Sequence, residues 1–419
     1  MKIRRIVGRE IFDSRGMPTV SCEIVLEDGT LVGASVPSGL SRGSCEAYEL
    51  RDGGNRLHGF GVSKAIHLID YTIAPQLIGK EPDLIEMDDL LCRLDGTSDK
   101  TNLGANTILA VSMAVARAHA VVEEMELFEL LASVHGADSV SLPFPLLNII
   151  NGGVHADNGF PIQELLLVPV GAQNFRTSLE CAFTVFQELK KELKAQKKST
   201  GVGDEGGFAA EFSSVEEAFD IVMDVLQKTR LQDLFVLAID VAADQLYDVK
   251  TQKYRWTGTK KKTTDELLAW YQKMVKTYPI FSIEDGFAQR DKSGWIALAS
   301  SLSSTVQIVG DDIFCTRIEN IYEGVQQHLA NAAIIKLNQI GTVTETLQAI
   351  AYCQKNGINP IVSHRSGETN DSFIADLAVG TSAGQIKAGG GCRGERMEKY
   401  NRLLFIEDML TLGILDRVS

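Results

Sequence analysis

Short apolar runs in the second half of the chain end, one after another, in charge. Leu237-Ala238-Ile239 ends in Asp240, Phe281-Ser282-Ile283 in Glu284 and Asp285, and Gln307-Ile308-Val309-Gly310 in Asp311 and Asp312. Ile334-Ile335 ends in Lys336, Pro360-Ile361-Val362-Ser363 in His364 and Arg365, and a weaker copy, Gln385-Ile386, in Lys387. The segments between them carry helical apolar spacing. This alternation predicts a parallel α/β barrel. Such barrels build their active site at the C-terminal ends of the strands. The charges therefore read as one site, spread along the sequence and gathered in space.

The pattern predicts barrel strands at 144–151, 162–169, 234–240, 280–285, 306–311, 332–337, 359–364 and 384–388. That is the eight a barrel of this kind needs. Glu164 breaks the rule, because it precedes its apolar run, Leu165 to Val168, instead of ending it. It joins the site only if its strand runs antiparallel to its neighbours. Upstream, residues 1 to 60 read as strands and turns. Thr19 to Leu26 alternates, and Glu27-Asp28-Gly29-Thr30 makes a hairpin turn. Residues 62 to 133 read as helices, most clearly over Asn106 to Glu124, and Leu142-Pro143-Phe144-Pro145 ends that pattern. The expected organisation is an α+β capping domain over 1–135 and an α/β barrel over 136–419.

Composition narrows the function classes. The chain has 419 residues, 44% hydrophobic and 23% charged, as in ordinary soluble globular proteins. A net charge of −14 argues against nucleic acid or an anionic membrane as the main partner. The basic runs Lys197-Lys198 and Lys260-Lys261-Lys262 read as solvated charge. The seven cysteines have no zinc-like spacing and read as reduced thiols of a cytosolic protein. The basic N-terminus has no apolar core and does not read as a signal peptide. No unbroken run of 18 apolar residues is found, since Arg117 and His119 interrupt the longest candidate, Ile108 to Val122.

Asp240, Glu284 and Asp311 are carboxylates on three strand ends, and unpaired they would repel in a low-dielectric cleft. A divalent cation relieves this, and an all-oxygen set without Cys or His favours Mg²⁺ or Mn²⁺ over zinc. Ordinary salt bridges are the competing reading of any one of them. Lys336 and Lys387, on later strands, would lower each other's pKa, and a neutral lysine is a base. A lysine beside a carboxylate-bound cation suggests abstraction of a proton α to a carboxylate, with the cation holding the enolate. A structural lysine pairing an acid is the alternative. His364-Arg365-Ser366-Gly367 suits a phosphate or carboxylate, or else an N-cap before the helix near Asp371 to Val379. Gly201-Val202-Gly203-Asp204-Glu205-Gly206 matches a dinucleotide fingerprint in form only. It follows a Lys-rich helix, and its acids would repel a pyrophosphate. It reads better as a mobile loop carrying a general acid, Glu205. Asn151-Gly152-Gly153-Val154-His155 is a similar turn with a titratable tip.

Several long stretches carry a resemblance. They are Ser363-His364-Arg365-Ser366-Gly367-Glu368-Thr369, Ile334-Ile335-Lys336-Leu337-Asn338-Gln339-Ile340-Gly341 and Val202-Gly203-Asp204-Glu205-Gly206-Gly207. Asn148 to Asn158 and Asp13-Ser14-Arg15-Gly16 with Pro18-Thr19-Val20 add to them. In order and from about residue 3 to 410, the chain resembles the enolase family, in a bacterial-type form. The resemblance implies an eight-stranded barrel with an antiparallel second strand behind the N-terminal capping domain. It implies dehydration of 2-phosphoglycerate to phosphoenolpyruvate. Lys336 would remove the C2 proton, and Glu205 would protonate the departing hydroxyl, with Glu164, His155 and His364 in the catalytic set. Asp240, Glu284 and Asp311 would hold one Mg²⁺, and Ser41 would join a second when substrate binds. Lys387 would polarise the substrate carboxylate, Arg365 and Ser366 would hold its phosphate, and Gln163 and His155 would line the pocket. A homodimer or octamer and a cytoplasmic location are further implications, and a cell-surface or secreted presence is compatible with them. Leu40 and Arg42 stand where the family usually has Ala and Thr, and Ala388 stands where it usually has Thr.

Overall fold

The computed structural model describes residues 1–39, 43 and 45–412. It opens with an antiparallel sheet of β1 (Ile3–Phe12), β2 (Pro18–Leu26) and β3 (Leu31–Ser35), in that order. The alternation in β2 explains its place: Val20, Cys22, Ile24 and Leu26 are fully buried, while Ser21, Glu23 and Val25 are half-covered. Asp28 and Gly29, the latter at φ +94°, make the turn into β3, and the Asp28 side chain accepts a hydrogen bond from the Thr30 amide. The Ala105–Val122 helix lies against β2 and β3. Its length and composition would suffice to cross a bilayer, but most of its surface is buried inside the protein. Fully burying each of its large aliphatic side chains contributes roughly 1.5–3 kcal/mol.

The barrel follows as β4 (Phe144–Pro145), β5 (Leu147–Asn151), β6 (Glu164–Val168), β7 (Val236–Asp240), β8 (Tyr247–Asp248), β9 (Lys253–Arg255), β10 (Lys261–Lys262), β11 (Ile280–Glu284), β12 (Gln307–Gly310), β13 (Ala332–Ile335), β14 (Asn359–Ser363) and β15 (Gln385–Lys387). Of these, β8, β9 and β10 form a separate small ribbon. The remaining nine pair in the order β4-β15-β14-β13-β12-β11-β7-β6-β5. The run expected as one strand over 144–151 is broken at Leu146. Its start pairs parallel with β15 and its remainder antiparallel with β6. Chain continuity across Leu146 thus joins the two edges of the sheet and closes the barrel of eight. β6 is antiparallel to both neighbours, and the other pairings are parallel. The antiparallel second strand puts Glu164 opposite Asp240. That answers the anomaly of an acid at the start of its apolar run.

The two faces of each strand part cleanly. Leu237, Ile239, Ala333, Ile335 and Ile386 belong to the main core under the helices. Ala238 with Leu166 and Val168, and Ala332 and Ile334 with Val309 and Ile361, form two small separate clusters, the lumen. At the far end of the lumen Gln307 and Gln385 donate to one another, and Gln307 also donates to Ser282. Continuing the period of two from 238 to 240, 282 to 284, 309 to 311, 334 to 336 and 385 to 387 brings a charge to the mouth each time. Asp240, Glu284, Asp311, Lys336 and Lys387 thus face inward, while Asp285 and Asp312, one residue further on, do not line the cavity at the mouth.

The basic runs are more engaged than solvated charge. Lys198 pairs with Glu217 at 2.7 Å and lies over the Phe212 ring, and Lys262 lies over Trp256. Lys198 meets residues of a later segment, and Lys262 meets its own ribbon, so in each case folding supplies the partner.

One ion pair ties the N-terminal sheet to the barrel. Arg117 donates to both Asp371 oxygens at 2.7 and 2.8 Å and to the Gly33 carbonyl, while the Ser35 amide donates to Asp371. Removing one partner of such a pair leaves an uncompensated buried charge. Arg117→Met should lower unfolding stability at pH 7 by about 3 kcal/mol, read from urea transitions. Burial pushes the Asp371 carboxyl up, but Arg117 outweighs it and holds the group below its ordinary 3.8. The pair's contribution is therefore complete above that value and lost as the pH falls through the lower folded-state pKa. A variant as stable as the parent at pH 7 would show that the junction rests on other contacts.

Candidate active site

The mouth of the barrel gathers the inward strand ends into one network. Lys387 on β15 reaches across it: its Nζ donates to Asp240 Oδ2 at 2.9 Å and to both Glu284 oxygens at 2.9 Å, and pairs with Glu164 Oε1 at 3.0 Å. Lys336, just past β13 and 13% exposed at its side chain, donates to Asp311 Oδ2 at 2.5 Å. Gln163 donates to Asp240 at 3.3 Å, and Gln339 to Asp311 at 3.1 Å. His155, Gln163, Glu164, Glu205, Asp240, Asp311, Lys336, His364, Arg365, Ser366 and Lys387 line a single cavity with Ser363, and Glu284 meets it through Lys387. Ser41 and its neighbours Leu40 and Arg42 lie outside the described residues.

The electrostatics differ from the expectation of two lysines depressing one another. Burial pulls Lys336 down, but Asp311 outweighs it and the net shift is upward. Burial also opposes the charge on Lys387, yet Asp240, Glu164 and Glu284 raise it well above its ordinary value. Three acids around one ammonium dominate any repulsion between the lysines. Among the acids, burial and then Asp240 push Glu284 well up. Asp311, though burial opposes it, is held down by Lys336.

A second pair of acids is pushed apart. Glu164 and Glu205 each offer an oxygen within 4.8 Å of the other and of a His155 nitrogen. Burial and then the Glu205 charge raise Glu164 well above the usual carboxylate range. Burial also opposes ionisation of Glu205, but His155 and His364 outweigh it and hold Glu205 well below that range. The His155 Nδ1 is 3.2 Å from Glu205 Oε2, and Asn148 donates to the same oxygen at 3.2 Å. One proton is thus held by this pair on the Glu164 side.

The glycine-rich loop that presents Glu205 packs closely against its neighbours in this conformation. Gly203 and Gly207 are buried, and a Cβ at either would fall 2.6 Å from the His155 carbonyl or 2.3 Å from Asn148 Oδ1. The Gly207 amide donates to Asn151 and the Gly390 amide to the Glu205 carbonyl. Glycine serves close approach here.

Arg365 is bound to Glu46, with Nη1 at 3.0 Å and Nη2 at 3.2 Å from its two oxygens, and to Asn338 at 2.9 Å. The Ser366 hydroxyl accepts from Arg15 at 3.4 Å. Sequence reasoning missed Glu46, Gln339 and Asn148. It also missed Arg396, a wholly buried guanidinium that donates to His364, Arg365, Ser366 and Asp204. The signal was available: Arg396, Lys399, Tyr400 and Leu403 share one helical stripe, and two cations in a stripe that turns inward are seldom surface charge.

The donor set fits a divalent cation. Asp240, Glu284 and Asp311 offer only oxygen, and Glu164 Oε2 is buried with no hydrogen-bond partner among the described residues. Groups of acids able to converge on an ion are His155 with Glu164 and Glu205, and Asp285 with Asp311 and Asp312. Of the trio expected from sequence, Lys387 bridges Asp240 and Glu284, and Lys336 holds Asp311.

Acids and lysines converging at the C-terminal end of an α/β barrel define an enzyme that handles an anionic substrate beside a divalent cation. The comparisons agree. Residues 3–131 match the enolase N-terminal domain, and residues 139–414 match the enolase C-terminal TIM barrel domain. The chain is 47% identical over 412 residues to "Enolase 2" of Lactococcus lactis subsp. lactis (strain IL1403), covering 97% of this chain and 96% of that protein. The chain belongs to the enolase family. Its function is that of the family, a lyase that dehydrates 2-phosphoglycerate to phosphoenolpyruvate in glycolysis.

Lys387 is the counter-charge to three buried acids. Lys387→Met should lower stability in chelator by about 3 kcal/mol, and Mg²⁺ should restore part of the loss. Thermal melts with EDTA and with Mg²⁺ test this. A variant melting like the parent in both would show that the acids are neutral without the lysine.

Proposed function

We propose that the reaction runs with Lys336 as the base and the Glu164–Glu205 pair as the acid, on opposite sides of the substrate. The observation that carries this is topological. Lys336 follows the sixth strand of the barrel and Glu164 opens the second, which lie across the lumen from one another. The C2 proton leaves toward Lys336 on one face, and the 3-hydroxyl leaves on the other face as water with the proton that Glu164 holds at rest and passes through Glu205, which leaves both glutamates as carboxylates. The two bonds broken lie anti to each other.

Asp240, Glu284 and Asp311 are the residues that would hold one Mg²⁺, and Ser41 would join a second when substrate is bound. Bound there, Mg²⁺ supplies the positive charge that stabilises the enolate carboxylate. Lys336 works as a base when Asp311 is engaged elsewhere. Burial, Arg365 and Lys387 all lower its pKa, and only its acidic neighbours raise it. Lys387 polarises the substrate carboxylate. Arg365 and Ser366 take the phosphate, for which the Glu46 carboxylate now substitutes on Arg365. Gln163 and His155 position the substrate, and His364 acts beside Glu205. Residues 1–135 form the capping unit and 136–419 the barrel. The enzyme works in the cytoplasm as a homodimer or octamer, which light scattering would distinguish.

Phosphoenolpyruvate formed from 2-phosphoglycerate, followed by ultraviolet absorbance with Mg²⁺ and with EDTA, tests the assignment. Lys336→Ala should lose at least about 10²-fold in kcat while still binding Mg²⁺ by calorimetry. Near-parental turnover would remove Lys336 from the role of base.

A further inference from the structure

We propose that Arg396 is a positioning residue that holds His364 in one tautomer, neutral and with its proton on Nε2, facing Glu205. This rests on the assignment of Glu205 as the proton donor and extends it to the group that supports it. Arg396 has no exposed surface. Its Nη1 lies 2.6 Å from His364 Nδ1 and 2.7 Å from the Arg365 carbonyl, and its Nη2 lies 2.7 Å from the Ser366 carbonyl and 3.0 Å from the Asp204 carbonyl.

A guanidinium has only donors and does not lose its proton in proteins. A contact of 2.6 Å to Nδ1 therefore requires the lone pair of that nitrogen. A proton on Nδ1, in the other tautomer or in the imidazolium, would set N–H against N–H. The proton is left on Nε2, which lies 3.6 Å from Glu205 Oε1 and is buried with no hydrogen-bond partner among the described residues. That N–H is aimed into the space Glu205 shares with the reacting substrate.

The charged groups facing His364 come from four elements: Glu205 on its loop, Arg396 on the Gly394–Thr411 helix, Lys387 on β15 and Lys336 after β13. Glu205 favours the imidazolium, while burial and the three cations oppose it. A fixed neutral donor stabilises the Glu205 carboxylate, at rest and again once the proton from Glu164 has passed through it, and it does not compete as a second acid. The same guanidinium joins the 204–205 loop to the 364–366 loop, so the acid and the phosphate-binding residues move as one unit.

Side-chain ¹⁵N spectra of the whole enzyme test this without using turnover. His364→Asn identifies the His364 signals by their loss. The expected pattern is neutral imidazole with the proton on Nε2, unchanged from about pH 5.5 to 8. A proton on Nδ1, or titration near the ordinary 6.5, would overturn the proposal. Arg396→Lys keeps a donor and should keep the tautomer, with kcat within a few-fold of the parent. Arg396→Met should release the tautomer, lower kcat about tenfold or more, and add an ionisation to the acid side of the kcat profile. Loss of activity in Arg396→Met with the tautomer unchanged would make Arg396 merely structural and refute the proposal. If that variant does not fold, the parent spectra still decide. A locked tautomer in a protein that forms no phosphoenolpyruvate would refute the assigned reaction and not the positioning.

Discussion

Everything at the mouth of this barrel answers one constraint: Glu164, Asp240, Glu284 and Asp311 are all buried there, the first three around Lys387 and the last against Lys336. Four bare carboxylates in a dry cleft would oppose folding by several kcal/mol each. Lys387 and Lys336 relieve that cost, and a cation would relieve it again. The site is therefore built for exchange of positive charge between lysines and metal. The same exchange sets the protonation of the base, because the acid that keeps Lys336 charged is one that the cation would engage.

The asymmetry of Glu164 and Glu205 follows from what lies behind each. Glu205 has two histidines and an asparagine turned toward it, whereas Glu164 feels the charge of Glu205, Asp240 and Glu284, with Lys387 against it. Environment thus divides one proton between two chemically similar groups. The support extends to the C-terminal helix, where Arg396 and Lys399 are wholly buried and donate to the carbonyls of the 363–369 segment. A helix far along the chain thereby fixes the loop that carries His364, Arg365 and Ser366.

Much of this was legible beforehand. All eight strands fall near their expected places, because a strand buried on both faces must be an apolar run and its mouth must be marked by the first charge. The helices after 62 were equally plain. Less visible was what depends on contacts across the chain: the break at Leu146 that closes the barrel, the seating of the Glu205 loop and the partners of Lys198. The lysines were expected to depress one another's pKa. Their real neighbours are acids from other strands, which no local pattern displays.

By itself the sequence determined the barrel, the identity of the charged residues at its mouth and the class of chemistry they serve. These follow from local rules: side chains alternate along a strand, and buried charge is tolerated only where it is used. The tertiary structure alone decided which acid each lysine meets, which of two glutamates keeps the proton and which nitrogen of His364 carries its hydrogen. Those are matters of a few ångströms between residues tens to hundreds of positions apart, and electrostatic energy in a dry interior depends on that distance and on nothing the sequence order records.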